Sequence, residues 1–270
     1  MRASPITKAV SGATLALIML GGSAPALADT GPCGPANGGT LPDLSVDRTV
    51  LKNSIVVTRE KFRQSSCSVV EGFTRTPGPA TLLRFTTSTP NTGAGDLVIG
   101  NPQQCPGLFE LSACHEHYHF HDYAENRLWT EAGWSKWIAA RDLRQPVSAR
   151  HNAVLLADAV KAGELLVGYK QAFCMIDSLQ YSPTANPTPK YTECMTNQGI
   201  SAGWTDRYDL RLDGQWIQVD NLKEGLYVLE VHVNANHGLS EESYENNSSA
   251  VTVRYTPPRG QLPPVAEVIQ

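Results

Sequence analysis

Between Cys114 and His121 the chain reads Cys-His-Glu-His-Tyr-His-Phe-His, with histidines at 115, 117, 119 and 121. Imidazoles repeated at two-residue spacing are donors for a transition metal. In a β-strand alternate side chains share a face, so His115, His117 and His119 would project together while Glu116, Tyr118 and Phe120 point the other way. Three nitrogen donors on one side of one strand suit copper or zinc, whereas calcium or magnesium would call for carboxylate oxygens. A helix would scatter the same residues around its axis. Histidine tracts also occur in linkers, but this one is interleaved with Tyr118 and Phe120 and followed by Leu128 and Trp129, so its second face has a core to join. His121 reads as a neighbouring or surface group rather than a fourth ligand.

The elements around this tract are mainly strands. Runs rich in apolar and β-branched residues recur between turn signals at residues 54–58, 81–86, 96–99, 163–169, 215–219 and 226–233. The last alternates well, placing Tyr227, Leu229, Val231 and Val233 on one face and His232 on the other, as a half-exposed strand residue. Between Trp134 and Ala162 the apolar spacing turns helical, which predicts one or two short helices. Tyr181 to Pro189 is a proline-rich loop. The expected fold is mainly β and sandwich-like, with few short helices, stapled by disulfides.

Met1-Arg2 with Lys8, an apolar run from Ala9 to Leu20 and the small-residue pattern Ala26-Leu27-Ala28 have the form of a secretory signal peptide, with cleavage expected after Ala28. Residues 29–40 read as a flexible tail, 41–256 as one large β domain and 257–270 as a disordered tail. Export fits the six cysteines, which in an oxidising compartment form disulfides. A formal net charge of −4 without a Lys/Arg run argues against nucleic acid or an anionic membrane and for a small or cationic partner.

The Cys114-His115-x-His117-Tyr118-His119 core resembles the copper motif of the lysyl oxidases, and further landmarks follow in family order. They include Leu41-Pro42-Asp43-Leu44, Leu82-Leu83-Arg84-Phe85 with Asn91-x-Gly93, and Gly168-x-Lys170-x-x-Phe173-Cys174. Later come Gln198-Gly199-Ile200, Asp206-x-Tyr208, Gln215-Trp216 and Glu241-x-x-Tyr244-x-Asn246-Asn247. The resemblance implies copper on His115, His117 and His119, and a lysine tyrosylquinone (LTQ) made from Lys170 and Tyr208. It implies a secreted amine oxidase that converts primary amines, peptidyl lysine or small amines, to aldehydes with O2, releasing hydrogen peroxide and ammonia. Asp206, two residues before Tyr208, is the candidate catalytic base. Taken without the family, Lys170 would read as a solvated charge on an apolar strand and Asp206 as a turn carboxylate.

The resemblance also pairs Cys114 with Cys194, which leaves Cys33 to Cys67 and Cys105 to Cys174 as the expected remaining bridges. Departures from the family pattern lie at Phe73, Gln180, Trp204 and Gly214, where cysteines are expected. A family histidine beyond the copper motif has no counterpart near Glu125 and Asn126. The stretch from Trp129 to Gly168 is long, and a lid or substrate-selecting role is expected for it. A second reading, a noncatalytic exported copper- or zinc-binding β-sandwich, rests on the Glu241–Asn247 ending, common in adhesion modules. A cupin-like oxygenase would need His232 or His237 as a further ligand.

Overall fold

Hydrophobic alternation of period two dominates the chain, and the computed structural model turns it into strands. It describes residues 39–269; the expected leader, most of the expected N-terminal tail and Cys33 lie outside them. In chain order the described elements are α1 (Arg48–Ser54), β1 (Val56–Phe62), α2 (Cys67–Val70), β2 (Gly78–Arg84), β3 (Thr87–Pro90) and β4 (Leu97–Gly100). Next come β5 (Phe109–Ser112), β6 (His117–Phe120), β7 (Ala124–Thr130), α3 (Glu131–Ala140), α4 (Arg150–Lys161) and β8 (Leu165–Val167). The remainder are β9 (Leu179–Gln180), β10 (Gln198–Ile200), β11 (Trp204–Tyr208), β12 (Trp216–Gln218), β13 (Gly225–Val233), β14 (Ser248–Thr256) and β15 (Val265–Val268).

The mainly β expectation holds, with the strands divided among several small sheets. The largest has the order β15-β14-β13-β7-β8, and β3-β11-β9, β1-β2-β12, β10-β4 and β5-β6 pack around it. Leu229, Val231 and Val233 of β13 and Val251 and Val253 of β14 join Leu83, Phe85, Phe173 and Ile200 in one fully buried core. Each such side chain contributes about 1.5–3 kcal/mol by leaving water.

The other face of β13 is buried too, which corrects the placement of His232. Helices α3 and α4 lie over it, and a second apolar cluster forms from Trp129, Trp137, Val147, Leu165 and Val228. His232 is 3% exposed rather than half-exposed. Beside it Glu230, fully buried, accepts hydrogen bonds from Trp129 Nε1 at 2.9 Å, Arg141 Nη1 at 3.1 Å and Arg127 Nη1 at 3.4 Å. A carboxylate removed from water in this way needs its cationic and hydrogen-bonding partners. The helical pair expected between Trp134 and Ala162 is present as α3 and α4.

Two further expectations are overturned. The stretch beyond Pro257 carries β15, whose register on β14 runs from Val253 opposite Val268 to Thr256 opposite Val265. The disulfides join Cys67 to Cys114 and Cys174 to Cys194, each with Cα atoms 5.6 Å apart, within ordinary bridge geometry. Cys114 therefore pairs with Cys67 rather than Cys194, and Cys174 with Cys194 rather than Cys105. Cys105 is itself disulfide-bonded.

Candidate functional site

Strand β6 delivers two of the three histidines as expected. His117 and His119 lie on the same face of β6, paired in register with Ser112 and Glu110 of β5. His115 is not on the strand. It sits in the turn joining β5 to β6, where Glu116 adopts the left-handed conformation (φ 57°) and its N–H donates to Ser112 O at 2.8 Å. The turn nevertheless brings the ring back: His115 lies 5.8 Å from His117 and 5.6 Å from His119, centroid to centroid, and the last two are 4.8 Å apart.

The Nε2 atoms of His117 and His119 stand 3.0 Å apart. Two nitrogens each about 2.0–2.1 Å from one ion would stand roughly 3 Å apart, so this pair is spaced as ligands of a single metal. Among the described residues no three His, Cys, Asp or Glu side chains are already gathered as a complete metal-holding group. The donor types fit copper or zinc, and the protonation state fits as well. Burial, with Lys170 close by, holds His119 down to about 3; burial and then His115 lower His117. Both rings stay neutral near pH 7, the form that binds metal.

Lys170 follows β8 in an irregular segment, not a strand, and is 4% exposed rather than a solvated edge charge. A single antiparallel bridge fixes that segment against the metal strand, with Phe120 N–H donating to Phe173 O at 2.7 Å and Phe173 N–H to Phe120 O at 3.1 Å. Lys170 Nζ lies 5.0 Å from the Phe73 ring centroid, 5.4 Å from that of Phe173 and 5.4 Å from that of Tyr208. Burial depresses its pKa to about 8, against the opposing pull of Glu71, Asp213 and Asp206.

Asp206 and Tyr208 come from β11, two residues apart and so on one face; Asp206 is a buried strand carboxyl, not a turn residue. The Tyr208 hydroxyl donates to Cys174 O at 2.6 Å, and its ring meets Phe173 edge-on at 4.8 Å. Burial, then the neighbouring Asp206, holds the Tyr208 phenol well above its usual range. Asp206 Oδ1 accepts from Ser178 Oγ at 3.0 Å while the buried Oδ2 has no hydrogen bond. Burial raises this carboxyl well above the ordinary aspartate range.

A cavity of about 250 Å³ opens onto all of these groups, with His115, His117, His119, Lys170, Asp206 and Tyr208 among its lining residues. The candidate residues read from the sequence are thus together at one place. Neither α3 nor α4 lines the cavity, and His232 and His237 are not part of it, so the cupin-like alternative loses its extra ligand. Reasoning from sequence missed Glu71 and Ser112, which touch His115. It also missed Phe73, whose ring stacks on His115 at 6.2 Å, and Gly214, which packs on Lys170.

Residues 150–262 match the family model for lysyl oxidase. The chain is similar to lysyl oxidases. It is 26% identical over 229 residues to lysyl oxidase homolog 1 of Homo sapiens, covering 82% of this chain and 34% of that protein. It is 27% identical over 225 residues to protein-lysine 6-oxidase of Gallus gallus, covering 80% and 46%, and 26% identical to that of Sus scrofa, covering 80% and 77%. The chain therefore spans about a third to a half of the length of the first two of these relatives. The family match takes in Lys170, Asp206 and Tyr208 and begins after the three histidines.

Proposed function

We propose that this protein is a secreted, copper-dependent amine oxidase that converts primary amines, peptidyl lysine or small amines, to aldehydes with O2, releasing hydrogen peroxide and ammonia. The observation that carries the proposal is the buried Lys170 amine 5.4 Å from the Tyr208 ring centroid, in the cavity that also holds the three histidines. His115, His117 and His119 would hold the copper, and Lys170 and Tyr208 would form the LTQ cofactor. When bound, copper with O2 supplies the oxidation of the Tyr208 ring, and the finished quinone supplies the electron sink for amine oxidation.

The chain's own residues have definable tasks. Burial favours the neutral form of Lys170, the only form whose nitrogen lone pair can add to a ring. The hydrogen bond to Cys174 O fixes the Tyr208 oxygen and so the orientation of its ring. Asp206 lines the cavity with one buried carboxyl oxygen free of hydrogen bonds, and this carboxyl would take the proton from the carbon next to the substrate nitrogen. Ile176 and Leu212 supply apolar walls, and Asp213, a partly exposed lining residue, would offer charge to an incoming ammonium. Export is supported by the leader-like N-terminus and the disulfides.

Copper loading in air, quinone staining and peptide mapping by mass spectrometry test this function. A Lys170–Tyr208 crosslink in the wild type and none in Lys170→Arg is the expected result. A copper-loaded protein without crosslink or stain overturns the oxidase and leaves a noncatalytic metal-binding β module.

A further inference from the structure

The bridge between Cys67 and Cys114 carries α2 against the turn that holds His115. At the end of α2, Glu71 folds back with its N–H donating to Cys67 O at 2.8 Å. Its carboxylate is thereby presented to the His115 ring: Glu71 Oε2, buried and without a hydrogen bond of its own, lies 2.9 Å from His115 Nδ1. The other carboxylate oxygen accepts the hydroxyl proton of Ser112.

That last contact decides the tautomer of the ring. Ser112 Oγ lies 3.1 Å from His115 Nδ1 and 2.9 Å from the His115 backbone N–H, which donates to it. A serine hydroxyl has one proton and two lone pairs, and Glu71 takes the proton. Toward His115 the oxygen can only accept, so Nδ1 must carry the ring proton, and Nε2 keeps the lone pair that a metal needs. The side chains involved are shielded, with His115 23% and Glu71 15% exposed.

We infer that Glu71, acting through Ser112, is the positioning residue that sets the Nδ1–H tautomer of His115 and aims its Nε2 for metal binding. The inference rests on the metal reading of the three histidines. It supplies a carboxylate partner from α2, a place where sequence spacing gives no hint of one. Metal-bound histidines commonly donate their second ring N–H to such a partner, and its loss weakens binding by roughly 10–100-fold.

The test uses the full oxidised chain without metal, then with copper. Nitrogen-15 NMR of the imidazoles reads the His115 tautomer directly, and competition with a chromogenic chelator reads copper affinity, in wild type, Glu71→Gln and Ser112→Ala. Thermal unfolding of each apo form identifies any variant that fails to fold. Expected is Nδ1–H in the wild type, a shift toward Nε2–H in both variants, and a roughly 10–100-fold loss of copper affinity with the fold retained. Nε2–H in the wild type, or folded variants with wild-type copper affinity, overturns the role of Glu71 and leaves the metal site standing. A wild type with the Nδ1–H tautomer that takes up no copper overturns the metal reading itself, and the inference with it.

Discussion

Gly214 packs so closely on Lys170 that a Cβ at this position would stand 2.6 Å from both Cβ and Cδ of the lysine. Its φ of +79° adds a second constraint, because L-residues are strained there. Any side chain at this position, a cysteine included, would press on the Lys170 side chain unless one of the two moved. Gly214→Ala is expected to cost roughly 1–2 kcal/mol from the backbone alone. It should also abolish or greatly slow crosslinking, read by denaturant unfolding and by the mass of the Lys170 peptide.

Formation of the crosslink should depend on pH through Lys170. With its pKa depressed to about 8 by burial, the amine is mostly charged and unreactive below that value and mostly neutral above it. The rate of quinone appearance in copper-loaded protein is therefore expected to rise tenfold per pH unit below about 8 and then level off. Linkage has the matching sign: between about 8 and the ordinary lysine value the unfolded chain holds the proton and the folded chain does not, so this group's contribution to stability rises with pH. A flat rate between pH 6 and 9 would contradict this role for the amine.

Asp206→Asn should separate cofactor formation from turnover. Lys170 and Tyr208 remain in place, so the quinone still forms, while loss of the base is expected to lower kcat by roughly 10²–10⁴-fold. Phenylhydrazine titration counts the quinone and peroxide release measures turnover. Equal loss of both would assign Asp206 to building the site rather than to catalysis.

Removing the Cys67–Cys114 bridge by the double change Cys67→Ser and Cys114→Ser should cost about 4 kcal/mol, the loop-closure entropy of a crosslink spanning 47 residues. Copper affinity is expected to fall as well, because α2 then no longer holds Glu71 at His115. A chelator titration at a temperature where the variant remains folded checks the second effect independently of the first.

Much of this was legible because it is local. Period-two alternation found β13, and the change to helical spacing found α3 and α4. Motif order placed Lys170, Asp206 and Tyr208. What escaped depends on long-range packing. His232 is buried because α3 and α4 cover a face that would otherwise meet solvent, which no feature of β13 announces. His115 left the predicted strand because the left-handed turn at Glu116 separates it from β6. Glu71 and Ser112 acquire their roles only from a disulfide whose pairing cannot be read from spacing. β15 is short, and Val265 lies exposed on it, so it gave no pattern to see.

Glu230→Gln probes the packing that lets α3 and α4 cover the sheet. Removing the charge leaves Arg127 and Arg141 under-compensated in a buried setting, which is expected to cost roughly 3–5 kcal/mol. The measurement is the urea midpoint with unchanged slope.

The two bridges also bear on the order in which the proposed site would be assembled. Cys114 adjoins His115, and Cys174 and Cys194 both line the cavity. Before oxidation those sulfurs are soft thiols, which capture cuprous ions in preference to imidazoles. On the proposed function, thiol oxidation would therefore come first, metal capture second and self-processing of the tyrosine last. A chain still in a reducing compartment would then be kept chemically silent by its own unfinished crosslinks.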